Sequence, residues 1–188
     1  MATTLPLPIE FRLPEGWIPA PPDEVDAPAA AFVALHPHAD AGFTANITID
    51  GDLLAETETL EGVADGAVER LREGTESVTV LQRRGIGSPE APGLTQRLAL
   101  TAVVAGVRRD LVQSQVYLAM LDSADPKRRA VIRMNLTATA AQHDGVLEDF
   151  QNFLRTVRPD TGARPDTGAR PDTGARPDTG QEPPGGTP

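Results

Sequence analysis

His36, His38 and Asp40 fall within one short stretch, HPHAD. Imidazole and carboxylate are zinc ligands, so these three side chains are the best candidates for a metal site in this chain. Their spacing matches no established ligand motif, and the segment 36–42 reads as a surface turn. The expectation is therefore no resident metal and no cofactor. His143 is the third and last histidine. With Ser88 or Ser114 and one of many acids it has the ingredients of a nucleophilic triad. No G-x-S-x-G elbow is present, and the simpler reading of His143 is a solvated residue before a helix. The absence of cysteine excludes thiolate nucleophiles, disulfides and cysteine-based zinc sites. The run RRGIGSPEAPG (83–93) is glycine-rich and basic at one end. It lacks both common phosphate-loop patterns and reads as a loop between strands. Asp50, Asp52, Glu56, Glu58 and Glu61 do not follow a calcium-loop pattern and read as a solvated acidic face. No catalytic set emerges, which points to binding rather than catalysis.

The charge narrows the partners. The chain has 188 residues and a net charge of −10. Its last 31 residues carry 4 Arg against 5 acids, so nearly all the excess lies in the first 157. An acidic body without a dense basic patch repels phosphate backbones, so neither nucleic acid nor an anionic membrane surface is an expected partner. The N-terminal text MATTLPLPIEFRLPEGW has no positive segment followed by an apolar run. No apolar stretch approaches the ~20 residues of a membrane span. The expectation is a soluble cytoplasmic protein without membrane insertion.

The elements that must position any binding surface are read from periodicity. A short strand is expected around Ile9–Leu13, a turn at Pro14–Gly16, then Trp17 as a lid on the core or an exposed contact. Residues 31–35 form a strand, and FTANITI (43–49) alternates strictly. Residues 59–74 change to a helical period, with Thr59 as N-cap and Gly74 as the stop. Gly62 and Gly66 are expected to let that helix pack close to a sheet. Residues 77–87 form another strand. The strongest pattern is a long hairpin, 94–104 and 110–120, turning near Gly106, followed by a strand over 132–138. Residues 144–157 form an amphipathic helix capped by Asp144 and stopped before Pro159. The whole is an α+β domain. Its antiparallel sheet is flanked by helices, with either a solvated face or helices segregated onto it. The polar alternates Gln113, Gln115, Tyr117 and Arg133, together with Trp17, are the expected partner-binding residues.

The hexamer RPDTGA recurs from Arg158. It has no large apolar residue to bury in a solenoid, and glycine comes too seldom for collagen. We expect a disordered tail over 158–188 behind a folded domain over 1–157.

Several stretches carry a resemblance: IEFRLPEGW (9–17), FVALHPHADAGFTANITI (32–49), the helix after Thr59, the strands to Thr139, and LEDFQNFLRTV (147–157). Together they resemble the Mog/PsbP-like superfamily, and within it the actinobacterial LpqN-type lipoproteins. The resemblance implies an α+β fold and no catalytic motif. LpqN-type proteins usually carry a signal peptide and a lipid-anchored cysteine, neither of which is in this sequence. Relatives of this kind include chaperone-like proteins for secreted toxins and small adaptors. The resemblance thus implies a non-catalytic protein-binding module, a chaperone or adaptor for a secreted or membrane-associated protein partner. The alternative is a small-ligand binding protein, or a cryptic enzyme using a cleft between sheet and helices.

Overall fold

The computed structural model describes residues 4–121 and 128–160. The segment SADPK (123–127), whose composition reads as a turn, and the hexamer repeat beyond residue 160 lie outside the described residues. The strands are β1 (Ile9–Glu10), β2 (Ile18–Ala20), β3 (Phe32–Asp40), β4 (Phe43–Leu54), β5 (Ser77–Gly87), β6 (Pro92–Val104), β7 (Val107–Leu121), β8 (Arg129–Thr139) and β9 (Arg158–Pro159). The helices are α1 (Leu60–Gly74) and α2 (His143–Thr156), with a 3-10 turn at Pro22–Glu24. Seven strands form one antiparallel sheet in the order β2-β3-β4-β8-β7-β6-β5.

Alternation decides what each face of this sheet holds. Ile47, Ile49, Val116, Ile132, Met134, Leu136 and Ala138 project to one side, where α2 adds Val146, Phe150 and Phe153 and Trp17 closes the layer. Their neighbours project to the other side, where Leu94, Leu98, Leu100 and Leu111 meet Leu60, Val63, Ala64 and Val68 of α1. The two helices therefore cover opposite faces, which resolves the alternatives left open by the alternation.

The hairpin between β6 and β7 is the tightest local feature. Ala105 and Gly106 both have positive φ, +50° and +77°. Two left-handed residues make the mirror-image turn that matches the twist of paired strands, and Val104 faces Val107 across it. The cap of α1 also forms as expected: the Thr59 side chain accepts from the Gly62 amide.

Four local expectations are corrected. Residues 36–40 are not a turn: β3 runs on to Asp40. A register shift between Leu35 and Ala39 accommodates Pro37, which has no N–H to give a ladder. Gly74 is the last residue of α1, not its stop. Thr75 leaves the helix in extended geometry, its hydroxyl donating to the Leu71 carbonyl. Gly62 and Gly66 do not face the sheet; a Cβ at either would meet only side chains of α1's own N-cap and surface, Thr59 and Arg70. Asp144 does not cap α2. Its side chain meets His143, while the Gln142 amide donates to the Thr139 hydroxyl.

The N-terminal segment lies along the end of α2. Phe11 packs edge-on against Phe32 and Phe153, and the Arg12 amide donates to the Thr156 hydroxyl. β1 pairs with β9, Arg158 bonds Glu10 at 2.6 Å, and the Asp160 amide donates to the Pro8 carbonyl. A chain ending at Asp160 should therefore melt with the full-length protein. One ending at Thr156 should melt about 2–4 °C lower, the shift that ~1 kcal/mol produces in a domain of this size. Scanning calorimetry of the two truncations distinguishes the cases; a drop already at Asp160 would show that the repeat docks on the body.

Candidate functional site: a polar cleft beside α1

On the α1 side, strand register brings polar residues into rows. Tyr117 on β7 stands between Leu94 on β6 and Arg133 on β8, and Arg133 faces Asp50 on β4. The next row runs Gln96, Gln115, Asn135, Thr48. The third runs Leu98, Gln113, Thr137, Asn46. Ala67, Arg70 and Leu71 of α1 form the wall of an open cleft of about 280 Å³ over this floor.

The floor is held by its own hydrogen bonds. Tyr117 Oη and Gln96 Nε2 both donate to Gln115 Oε1 at 2.5 Å. Gln115 Nε2 donates to Gln113 Oε1, and Gln113 Nε2 to Thr137 Oγ1. Asn135 Nδ2 donates to Thr48 Oγ1. Arg133 binds two carboxylates, Asp50 through Nε and Asp52 through Nη2 at 2.6 Å. Burial pushes the Asp50 carboxyl above its ordinary range, outweighing the pull of Arg133. Burial alone would lower the Arg133 guanidinium, but its two carboxylates together hold its proton more tightly than usual. Burial pushes the Tyr117 hydroxyl up to about 12, so it stays a neutral hydrogen-bonding group. The arrangement offers amides, hydroxyls and a guanidinium and contains no nucleophile paired with a base. What these groups can do is donate and accept hydrogen bonds.

Four of the five expected partner-binding residues, Gln113, Gln115, Tyr117 and Arg133, thus converge in one cleft. Trp17 does not. It is buried on the opposite face, its indole donating to Asp149 at 2.9 Å. The role of Asp50 and Asp52 is not apparent from the sequence pattern alone. Taken as part of a solvated acidic run, they are the partners of Arg133. Their i, i+2 spacing on a strand was the available signal, since it places both on one face.

The other candidates are placed as follows. His36 stacks edge-on against Trp17 and His38, and its Nδ1 lies 2.9 Å from the His38 carbonyl. Asp40 accepts from the Thr139 hydroxyl. Among the described residues no group of three or more metal-binding side chains gathers. Ser88 closes the turn between β5 and β6. Ser114 does meet His143: Oγ and Nε2 are 3.0 Å apart, and Asp144 lies 3.3 Å from Nδ1. Ser114 sits in the middle of β7, between Arg97 and Leu136 in the ladder, so its backbone is paired rather than aimed at an oxyanion.

His143 is 1% exposed, which corrects the expectation of a solvated residue. Burial lowers its pKa, opposed by Asp144 and reinforced by Arg97, so the folded protein favours the neutral ring. The unfolded chain takes up the proton first, near pH 6.5. His143 therefore contributes stability that is complete above about pH 6.5 and is lost as pH falls toward its depressed folded value. Urea midpoints at about pH 7.5 and 5.5 should diverge less in His143→Gln than in wild type. Parallel behaviour would remove His143 as the cause.

The fold defines the class: an α+β protein of the Mog/PsbP-like fold, with a seven-stranded antiparallel sheet between two helices. The Ran-binding protein Mog1p of Saccharomyces cerevisiae superposes with a TM-score of 0.52 at 18% identity, covering 80% of this chain and 89% of that one. LpqN of Mycobacterium tuberculosis, involved in cell envelope biogenesis, gives 0.57 at 11% identity over 81% and 84%. Cyanobacterial PsbP of Synechocystis gives 0.50 at 15% over 81% and 86%. No protein-family model and no curated protein matches the chain. Among the described residues no helix is long and apolar enough to cross a membrane.

Proposed function

We propose that this chain is a non-catalytic protein-binding module that holds its partner over the polar cleft, as a chaperone or adaptor for a secreted or membrane-associated protein. The observation that carries this reading is the cleft floor. Gln113, Gln115 and Tyr117 are tied by mutual hydrogen bonds and Arg133 is held by Asp50 and Asp52, so buried Gln115 and Tyr117 brace a rigid floor on which half-buried Gln113 and Arg133 present their polar groups. Preorganised polar groups of this kind contribute specificity at little ordering cost. The Ran-binding neighbour supports the class, since that protein too has a protein partner. Affinity purification from the native host should return one stoichiometric partner, lost in Gln113→Arg while the melting curve is retained. Repeated recovery of a bare monomer would reject the proposal.

A small polar ligand is the second reading, favoured by the cleft volume of about 280 Å³. That is close to the lower bound of ~300 Å³ for ligand sites. Native mass spectrometry of the purified chain, showing a discrete added mass that Gln113→Arg removes, would select it.

A further inference from the structure

Among the described residues the sheet ends at β5, which pairs only with β6. The opposite end is closed by β2, three residues long and containing Pro19. β5 has 11 residues, and Val80, Leu81 and Ile86 are exposed along it. A long open edge is a template for another strand. A register shift at Leu81, between Val80 and Gln82, breaks it only once.

The side chains beside that edge state what such a strand should carry. On the α2 side, Arg84 of β5 and Arg97 of β6 occupy diagonal positions, since Gln82 faces Arg97 and Arg84 faces Thr95. The two line one groove of about 250 Å³ with Leu147, Phe150 and Leu154 of α2. Arg72, Arg83, Arg108, Arg133 and Arg158 each have an acid within bonding distance. No carboxylate is paired with Arg84 or Arg97 among the described residues. Like charges at diagonal positions on one face repel, and an acidic side chain set beside them relieves that repulsion.

We infer that β5 is a strand-addition site for an extended acidic peptide. Its acidic residues lie on the α2 side next to Arg84, with Arg97 one strand further in on β6, and its alternate apolar residues lie beside Val80 on the other side. This surface is separate from the cleft, because it runs along β5 at the edge of the sheet, whereas Gln113 on β7 and Arg133 on β8 stand two and three strands further in.

The probe is an acetylated, amidated decapeptide alternating glutamate and valine, titrated calorimetrically into the full chain at low salt. Two control peptides are used, one with lysine for glutamate and one with proline for valine. The glutamate–valine peptide should bind saturably, and about tenfold or more tighter than either control. The double variant Arg84→Glu/Arg97→Glu, checked for an unchanged melting curve, should reverse the preference toward the lysine peptide. Gln113→Arg should leave the titration unchanged, which separates this site from the cleft. Equal binding of the glutamate and lysine peptides, or no saturation up to millimolar peptide, would overturn the inference. Equal binding of the proline peptide would also overturn it, because attraction without strand pairing would then suffice. So would a wild-type dimer in sedimentation that the acidic peptide does not dissociate, since a second copy would then occupy the edge.

Discussion

Replacing Arg133 with methionine is expected to destabilise the fold by about 2–3 kcal/mol near neutral pH, somewhat below the ~3–5 of a fully buried pair. The arginine side chain is 17% exposed and the Asp50 side chain 20%, so the pair is largely but not wholly desolvated. Methionine fills much of the stem's volume, so most of the loss comes from the carboxylate left behind. Burial already raises the Asp50 pKa with Arg133 present, and removing the guanidinium raises it further. A carboxyl whose folded pKa lies above its unfolded value stabilises at low pH and loses that contribution as pH rises through the folded value. The penalty of Arg133→Met should therefore be larger at about pH 7 than at about pH 4.5 when measured by urea denaturation. Asp50→Asn/Arg133→Met should recover most of it, because no charge is then stranded. An equal penalty at both pH values, or no recovery in the double variant, would mean the pair is solvated.

This ion pair also shows what periodicity reveals and what it leaves out. Alternation alone places Gln113, Gln115 and Tyr117 on one face of β7, because side chains on a strand repeat every two residues. The hairpin at Gly106 is legible for the same reason, helped by a residue that adopts positive φ without strain. That β4 lies beside β8, bringing Asp50 to a residue 83 positions later, is a matter of strand order. Local pattern does not encode strand order. The covering of both sheet faces was hidden too. Each helix shows one apolar stripe, and a stripe does not say which face it will meet. Residues 36–40 read as a turn because proline and paired histidines are poor strand formers. The register shift in β3 is a tertiary accommodation that such a reading has no means to anticipate. The burial of His143 follows from Ser114 reaching it across 29 residues, again a long-range contact. The fold itself is legible in the order of elements and in the FRLPEGW and FTANITI segments.

Phe153→Ala is expected to have the largest effect of any single substitution considered, about 3–5 kcal/mol, the usual cost of truncating a buried phenylalanine. Phe153 is 1% exposed. Its ring stacks near Phe150, with centroids 6.1 Å apart, and meets Phe11 edge-on at 5.5 Å. It belongs to the apolar layer that seats α2 on the sheet, and it also reaches the N-terminal segment. Removing Phe11 instead cuts the second connection and its contact with Phe32, but Phe11 is only half-buried, so Phe11→Ala should cost less. The double variant should cost less than the sum of the two by about 0.5–1.5 kcal/mol, the coupling of an edge-to-face pair. Urea midpoints with unchanged slopes would measure all three losses. Hydrogen exchange adds a local readout. The Arg12 amide donates to the Thr156 hydroxyl near the end of α2, so its protection should fall in Phe153→Ala by more than that of β7 amides. If Phe153→Ala costs less than about 1 kcal/mol, or Arg12 and β7 lose protection equally, the N-terminal segment is not anchored through this ring. The pairing of β1 with β9 would then be what holds it to the body.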